Sequence, residues 1–539
     1  MTHDGGVCEQ LIREGEDPIP PEYVADFVSM LATGAITTRG QVLRAKSALC
    51  RKHGLSRVPA NYELLALIPD ELAKCAEPLL RNKPVRTISG VAPVAVMTTP
   101  SECPHGRCAY CPGGVTNNSP QSYTGKEPAA LRAAMYEFDP YRQTRARLEQ
   151  LSAIGHRTDK VELIVMGGTF TARDYDYQQW FVKRCFDAMN GSQNAELEHS
   201  QLANEKASSR CVGLTVETRP DWFLEGHIDR SMRLGATKVE LGVQVLDDAV
   251  LEGVKRGHDV DSVAVATKHA RDAGLKICYH VMPGLPGSDI ANDLRSFERM
   301  FSDERFKPDM LKLYPTLVVK GTELYDLWKS GEYSPLELDD AVSVIAEMKR
   351  RVPPWVRILR IQRDIPVQLI EAGVRKSHLR ELARLELERT GHACKCIRCR
   401  EVGQMGVDRN AAETDEIGLV EHSYEADGGV EHFVSCETVH GGSLVGYARL
   451  RCASDPSLHP ARIRELHVYG EMTPIKEPPS ARWQHSGYGE RLLSRCEDLA
   501  GQAGHRMISV TSGVGVRDYY RRLGYRREGV YMSKPLRRL

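Results

Sequence analysis

A strand-length apolar run followed by a helical or polar segment, repeated along the middle of the chain, limits what this protein can fold into. The runs are Val91–Met97, Val161–Met166, Cys211–Glu217, Lys238–Val245, Lys276–Met282 and Met310–Thr316, with Val356–Ile361 available as a seventh. Such alternation is the signature of βαβ units, closing either as a barrel or as a parallel sheet. Several runs end in polar or glycine-rich turns: Gly-Gly-Thr-Phe from Gly167, Glu-Thr-Arg-Pro from Glu217 and Met-Pro-Gly-Leu-Pro-Gly from Met282. In α/β barrels the strand C-termini carry the chemistry, so these turns mark one end of the fold as the candidate site.

The first run leads into C-P-H-G-R-C-A-Y-C, which holds Cys103, Cys108 and Cys111. A structural zinc takes four protein ligands, and no fourth cysteine follows nearby. Three thiolates suit a four-iron four-sulfur cluster whose last iron stays open to a small ligand. Taken alone, the trio leaves a structural zinc or incidental thiols open. Gly167 and Gly168 close the second run; glycines there let a ligand approach backbone, and a tight turn explains them equally simply.

At 539 residues the chain has room for several domains. Lys+Arg and Asp+Glu are both 72, so any surface for nucleic acid must be local. No apolar run approaches the roughly 20 residues that span a bilayer, and the N-terminus lacks a charged-then-apolar signal pattern. Fifteen cysteines, partly clustered, fit metal binding in a reducing compartment. The expectation is a cytoplasmic protein with no membrane partner.

Upstream of the barrel the pattern is helical and polar. Thr38 can cap a helix from Gln41 to His53 whose apolar face is Val42, Ala45 and Leu49. Arg39, Arg44, Lys46, Arg51, Lys52 and Arg57 flank that face, either solvated or contacting phosphates. Between Gly113 and Lys160 an insertion interleaves Tyr123, Tyr136 and Tyr141 with Lys126, Arg142, Arg145 and Arg147. That offers base stacking with phosphate pairing, or one side of an amphipathic helix. Residues Gly191 to Ser209 read as a polar loop without a role. Arg357 to Arg400 is basic, with Arg360, Arg363, Arg375 and Lys376, and ends in C-K-C-I-R-C. Cys394, Cys396 and Cys399 read as zinc ligands, completed by solvent or a histidine such as His378 or His392. A second redox cluster is the alternative.

From about Ile417 the pattern is that of a compact α+β domain, with Leu444–Arg451 and Ile463–Tyr469 as neighbouring antiparallel strands. Gln484-His-Ser-Gly-Tyr-Gly489 opens a helix and resembles the pyrophosphate turn of GNAT-type acetyltransferases, where backbone N–H groups approach a diphosphate. The strand Leu466–Val468 would receive the pantetheine arm, and Met507–Thr511 follows. Arg517 to Tyr525 resembles the usual ending of that fold. There Tyr520 would protonate a departing coenzyme A thiolate, unless it merely packs.

In this order, C-P-H-G-R-C-A-Y-C-P-G-G, S-Y-T-G-K-E-P, V-M-G-G-T-F, E-T-R-P-D, H-V-M-P-G-L-P-G, E-L-H-V-Y-G and Y-Y-R-R-L-G-Y resemble the motifs of the elongator protein 3 family over nearly the whole chain. The resemblance implies an α/β architecture. A basic helical tRNA-binding region (1–85) precedes a partial (β/α)6 radical SAM barrel (86–370). A Cys-rich zinc-binding linker (371–415) and an α+β GNAT acetyltransferase-like domain (416–539) follow.

It implies a 4Fe-4S cluster on Cys103, Cys108 and Cys111, and S-adenosylmethionine beside Gly167, Gly168, Thr169, Glu217 and Arg219. It also implies zinc on Cys394, Cys396 and Cys399. Acetyl-CoA would meet Lys160, Glu465, Leu466, His467, Val468, Gln484, Gly487, Tyr488, Gly489, Glu490, Tyr519 and Tyr520, with Lys160 and Tyr520 as catalytic groups. tRNA would lie along Arg39, Arg44, Lys46, Arg51, Lys52, Arg360, Arg363, Arg375 and Lys376. The implied reaction carboxymethylates carbon 5 of the tRNA wobble uridine: a carbon radical made from the acetyl methyl group adds to the base, and the thioester is then hydrolysed. The implied partners are Elongator-type subunits in a eukaryote, and otherwise none or a second copy. Rival readings are a protein lysine acetyltransferase with a structural barrel, a non-catalytic tRNA-binding subunit, and a methylthiolating enzyme with a second cluster.

Overall fold

The computed structural model describes residues 19–81, 87, 89–405, 416–469 and 487–536. Gln484 lies outside the described residues. The chain divides into two compact units: Met1–Thr87 with Ala146–Thr158, and Ile88–Arg145 with Asp159–Leu539.

The first unit is built on the helices Pro21–Ala32, Arg39–Lys52, Asn61–Leu67 and Asp70–Leu80. Thr38 caps the second, its hydroxyl accepting from Gln41 N while Gln41 Oε1 accepts from Thr38 N at 2.8 Å. Tyr23, Phe27, Val42, Leu49 and Leu80 form its core.

In the second unit the apolar runs become parallel strands: β1 (Ala92–Met97), β2 (Lys160–Met166), β3 (Arg210–Thr218), β4 (Lys238–Gln244), β5 (Lys276–Val281) and β6 (Met310–Leu313). A short β7 (Val318–Val319) pairs with β9 (Ile370–Ala372), and β8 (Arg357–Ile361) joins the main sheet. The order is β1-β2-β3-β4-β5-β6-β8, so the barrel is partial and the seventh run is a full member, one strand more than the sixfold pattern. The stretch read as a polar loop contains a helix, Leu197–Asn204. Its polar face is consumed internally: Asn204 accepts from Cys211 N at 2.8 Å, and Ser200 donates to Asp187 at 2.6 Å. Hydropathy alone could not reveal a face buried by hydrogen bonding.

The C-terminal sheet comprises β10 (Ile417–Glu425), β11 (Gly429–Thr438), β12 (Leu444–Ala453), β13 (Ala461–Val468), β14 (Met507–Val510), β15 (Arg526–Glu528) and β16 (Tyr531–Pro535). Its order is β10-β11-β12-β13-β14-β16-β15, and β13/β14 is its parallel pair. The helix Tyr488–Gln502 covers one face with Leu492, Leu493 and Cys496. The Cys-rich segment is no free linker: Ile397 N donates to Val356 O at 2.9 Å, and Arg400 pairs with Glu437 at 2.8 Å.

Barrel and C-terminal sheet meet through buried ions. Asp309, just before β6, pairs with Arg464 of β13 at 2.6 Å and Arg449 of β12 at 3.5 Å. Glu431 of β11 also holds Arg464, at 2.8 Å. Buried charges persist only when paired in this way. A Cβ on Gly513 would fall 2.1 Å from Val212 O, so the contact is backbone against backbone. Glu205 clamps Arg517 at 3.2 Å and Arg521 at 2.6 Å. The sheet therefore packs against the N-terminal ends of the barrel strands, opposite the turns marked by sequence.

Candidate functional site

At the C-terminal mouth Cys103, Cys108 and Cys111 are all buried. Each sulfur has its own neighbour. Thr169 Oγ1 is 3.3 Å from Cys103, His105 Nε2 is 3.1 Å from Cys108, and Gln121 donates to Cys111 at 3.0 Å. Arg256, itself buried, reaches Cys108 at 3.7 Å. Burial pushes the Cys103 thiol up, and Thr169 and the Arg256 guanidinium oppose this. Burial, with Arg219 and Arg256 behind it, holds His105 down at about 3 and hence neutral. Cationic surroundings favour thiolates. Two other trios gather their ligand atoms within 4.8 Å of one another, and these three sulfurs do not. Ligands of a single tetrahedral zinc, at ~2.3 Å each, would sit about 3.8 Å apart. The wider spread, lined by donors, fits a polynuclear anionic cluster.

The glycines are needed for packing. A Cβ on Gly167 would meet Thr98 Oγ1 at 2.1 Å; Gly168 has φ +77° and Gln121 O at 2.8 Å. The end of β2 thus presses on the end of β1 and on the segment that supports Cys111. Arg219 is fully buried, bonded to Asp221 at 2.8 Å and to the Arg256 and Gly257 carbonyls at 2.6 and 3.0 Å. It braces the Arg256 segment rather than opening toward a ligand. Arg256 was not foreseen, because nothing in Lys-Arg-Gly-His distinguishes it from a surface cation.

Between the mouth and the C-terminal sheet, the barrel interior is a chain of charges. Tyr123 donates to Glu217 at 2.6 Å, and Glu217 lies 3.6 Å from Lys312. Lys312 sits on Glu240, which also accepts from His280 at 2.9 Å. Lys238 bridges Glu240 (3.8 Å) and Glu162 (2.5 Å), and Lys276 reaches Glu465 of β13 at 4.0 Å. Glu162, His280 and Lys312 keep 33, 17 and 14 % of their side chains accessible, although all lie on inner strands.

At the far end, β13 and β14 pair only over Ala461–Ile463, and Thr511 N closes on Ile463 O at 3.0 Å. Beyond that bond no described strand pairs with Glu465, Leu466 or His467 on the β14 side. This splayed pair can receive an extended arm by main-chain hydrogen bonds. Gly487 caps the helix Tyr488–Gln502 with φ +81°, which presents the N–H groups of Tyr488, Gly489 and Glu490. A Cβ on Gly489 would touch Tyr519 Oη at 2.8 Å. Burial pushes the Tyr519 phenol up to about 12, with Glu490 adding to the shift. Tyr520 is packed in the core against Tyr519 and Tyr525; of the two tyrosines, Tyr519 stands at the turn.

Lys160 opens β2 at the barrel's N-terminal end, seven residue steps or about 23 Å from Gly167. Burial lowers its pKa. Cys394, Cys396 and Cys399 converge within 4.8 Å, and neither His378 nor His392 joins them. Three thiols around one point fit a single thiophilic ion with one position left over.

Among the cations expected at tRNA, Lys46 is turned inward onto Asn61 at 2.7 Å, a correction the helical period conceals because its neighbours Ala45 and Leu49 share that face. Arg39 donates to Pro78 O, Arg51 to Ser47 O, and Lys52 pairs with Asp26; Arg44 is exposed. In the second unit Arg360 pairs with Asp364, Arg363 donates to Ser122 O, Arg375 donates to Glu371 O, and Lys376 is exposed.

Family models match three stretches: ELP3 N-terminal domain (22–88), Radical SAM superfamily (97–297) and Radical_SAM C-terminal domain (308–389). The chain is 50% identical over 489 residues to the tRNA uridine(34) acetyltransferase of Methanocaldococcus jannaschii, covering 89% of this chain and 90% of that one. It is 40% identical over 509 residues to Elongator complex protein 3 of Homo sapiens, covering 92% and 93%. The solved structure of archaeal Methanocaldococcus infernus Elp3 with an N-terminal deletion superposes with a TM-score of 0.72 at 45% identity, covering 84% of this chain and 100% of that one. The chain belongs to the Elongator protein 3 family.

Proposed function

We propose that this protein modifies uridine 34 of tRNA, joining the acetyl group of acetyl-CoA to carbon 5 to give 5-carboxymethyluridine. The relatives' names, which specify uridine 34 and acetyl transfer, support the substrate and the transferred group. One observation carries the reading: three buried thiols stand at the C-terminal mouth of the barrel and the splayed β13/β14 pair at its N-terminal end, with the inward charges from Glu217 to Glu465 between them. Cys103, Cys108 and Cys111 would hold a 4Fe-4S cluster which, together with S-adenosylmethionine, would supply one-electron radical chemistry.

The chain's own groups do the rest. Thr169, Gln121 and Arg256 orient the thiols and balance their charge, and Arg219 holds Arg256 in place. Gly167 and Gly168 keep the mouth narrow, which excludes water from reactive carbon. Glu465 to Val468 and the Gly487 turn would hold the coenzyme A arm and diphosphate, with Tyr488, Gly489 and Glu490 at that turn. Lys160 stands at the barrel end facing that domain, and Tyr519 or Tyr520 is the proton donor for a coenzyme A thiolate. Cys394, Cys396 and Cys399 would hold a zinc that fastens the basic segment to β8. Arg44, Arg51 and Lys52 in the first unit, and Arg360, Arg375 and Lys376 in the second, are the cations offered to tRNA phosphates.

The test is anaerobic incubation of reconstituted enzyme with S-adenosylmethionine, acetyl-CoA, dithionite and unmodified tRNA, followed by nucleoside mass spectrometry. 5-Carboxymethyluridine is expected; its absence with a loaded cluster, or acetyl transfer to peptide lysines instead, defeats the reading.

A further inference from the structure

His280 has no part in the reaction as assigned so far. It stands near the C-terminal end of β5, in register with Lys312 of β6. Its Nε2 lies 2.9 Å from Glu240 Oε2. No described residue hydrogen-bonds its Nδ1, and the side chain keeps 17 % of its surface accessible. The groups that face it are Glu240 from β4, Glu217 from β3, Lys312 from β6, Tyr314 just after β6, and Cys278 from its own strand. Lys312 already sits on the Glu240 carboxylate, so this is an ion-paired dyad and not an empty cation pocket. Burial, reinforced by Lys312, holds the imidazole below its ordinary value against the pull of Glu240. The ring is therefore neutral at physiological pH, with Nε2–H committed to a carboxylate and a lone pair on Nδ1. A carboxylate that fixes the tautomer, and an imidazole that can accept a proton, are the parts of a general base.

We propose that His280, oriented by Glu240, is the general base that hydrolyses the coenzyme A thioester once the acetyl carbon has been joined to uridine. The inference rests on the function proposed above. In this step Nδ1 takes a proton from water as the oxygen attacks the thioester carbonyl carbon. A C–O bond forms, the C–S bond breaks, and the imidazolium returns the proton to the departing sulfur. The products are coenzyme A thiol and a carboxylic acid that ionises to solvent; no electrons are transferred. His280 is the catalytic residue of this step, and Glu240 a positioning residue.

The experiment compares wild type and His280→Gln in an anaerobic single turnover on tRNA, reading digested nucleosides and free thiol. Wild type is expected to give 5-carboxymethyluridine. The variant, with normal iron content and tRNA binding, is expected to release thiol about 10²–10⁴-fold more slowly and to accumulate a uridine-linked coenzyme A thioester. A variant that forms the carboxymethyl product within about threefold of the wild-type rate overturns the inference, whereas a wild type that forms none overturns the broader reading instead. An independent measurement uses cluster-free wild-type protein and diethyl pyrocarbonate, mapped by peptide mass. His280 is expected to be modified at neutral pH and protected by acetyl-CoA; a His280 left unmodified, or unprotected by acetyl-CoA, sinks the proposal.

Discussion

The two cysteine trios have nearly the same composition and opposite geometries. Cys394, Cys396 and Cys399 draw their sulfurs within 4.8 Å of one another, whereas Cys103, Cys108 and Cys111 spread wider around a donor-lined hollow. In the first case Ile397 is anchored to Val356 and a short helix, Ile397–Arg400, folds the thiols onto one point. In the second, each sulfur is held apart by a different element: the end of β2 through Thr169, the loop after Cys111 through Gln121, and the segment after β4 through Arg256. Spacing along the chain therefore sets which thiols can share a centre; the surrounding backbone sets how large that centre is.

The largest expected effect separates the trios by function. Cys108→Ser should cut tRNA modification by at least about 10³-fold, equivalent to about 4 kcal/mol of barrier, and remove iron while tRNA binding and zinc content persist. Iron retained, or product still formed, would break the comparison. Cys396→Ser should do the converse, losing one zinc equivalent and several kcal/mol of stability, since structural zinc binding contributes directly to folding. Metal analysis and thermal unfolding read both, with iron loading unchanged.

Gly168→Ala sharpens the contrast at the mouth. A left-handed φ costs about 1–2 kcal/mol without glycine, and the Gln121 carbonyl at 2.8 Å adds a clash of about 1–3 kcal/mol. Lower stability together with poorer iron loading is expected; intact loading would detach Gln121 from the cysteine site. The smallest effect concerns the joint between barrel and sheet. Although burial works against it, Arg464 and Arg449 hold Asp309 down at about 2 from 3.8. Its folded value is lower than its unfolded value, so the stabilisation is present above pH 3.8 and lost as pH falls through 2. It amounts to about 2 kcal/mol by linkage. Asp309→Asn should flatten that part of the acid-unfolding curve, and an unchanged curve would mean that other groups carry it.

Much was legible in advance, and for identifiable reasons. The barrel strands stand where the apolar runs end in glycine or polar turns, because a buried parallel strand must be apolar throughout and its chemistry sits at one end. The helix 197–204 was missed because its polar groups are satisfied within the fold, Ser200 by Asp187 and Asn204 by Cys211, and β10 and β11 because polar residues interrupt both runs. Lys46 was read as surface because charge suggests water; its ammonium instead satisfies Asn61. Tyr519 and Tyr520 were both read at the coenzyme A turn, and only packing shows that the Tyr519 hydroxyl is the one against Gly489. The His280–Glu240 dyad could not be read at all, because its two members are on different strands and each looks like an ordinary polar residue.

By itself, the sequence determined the periodicities, the kinds of ligand atom available and the family, all of which are local or cumulative properties of the chain. Tertiary structure alone decided the spread of each set of sulfurs and which end of the barrel the C-terminal sheet covers. It also decided which cations are already spent on carboxylates or carbonyls. These depend on contacts such as Arg256 with Cys108, 148 positions apart, and no local pattern of residues encodes a distance between strands that meet only after the barrel has formed.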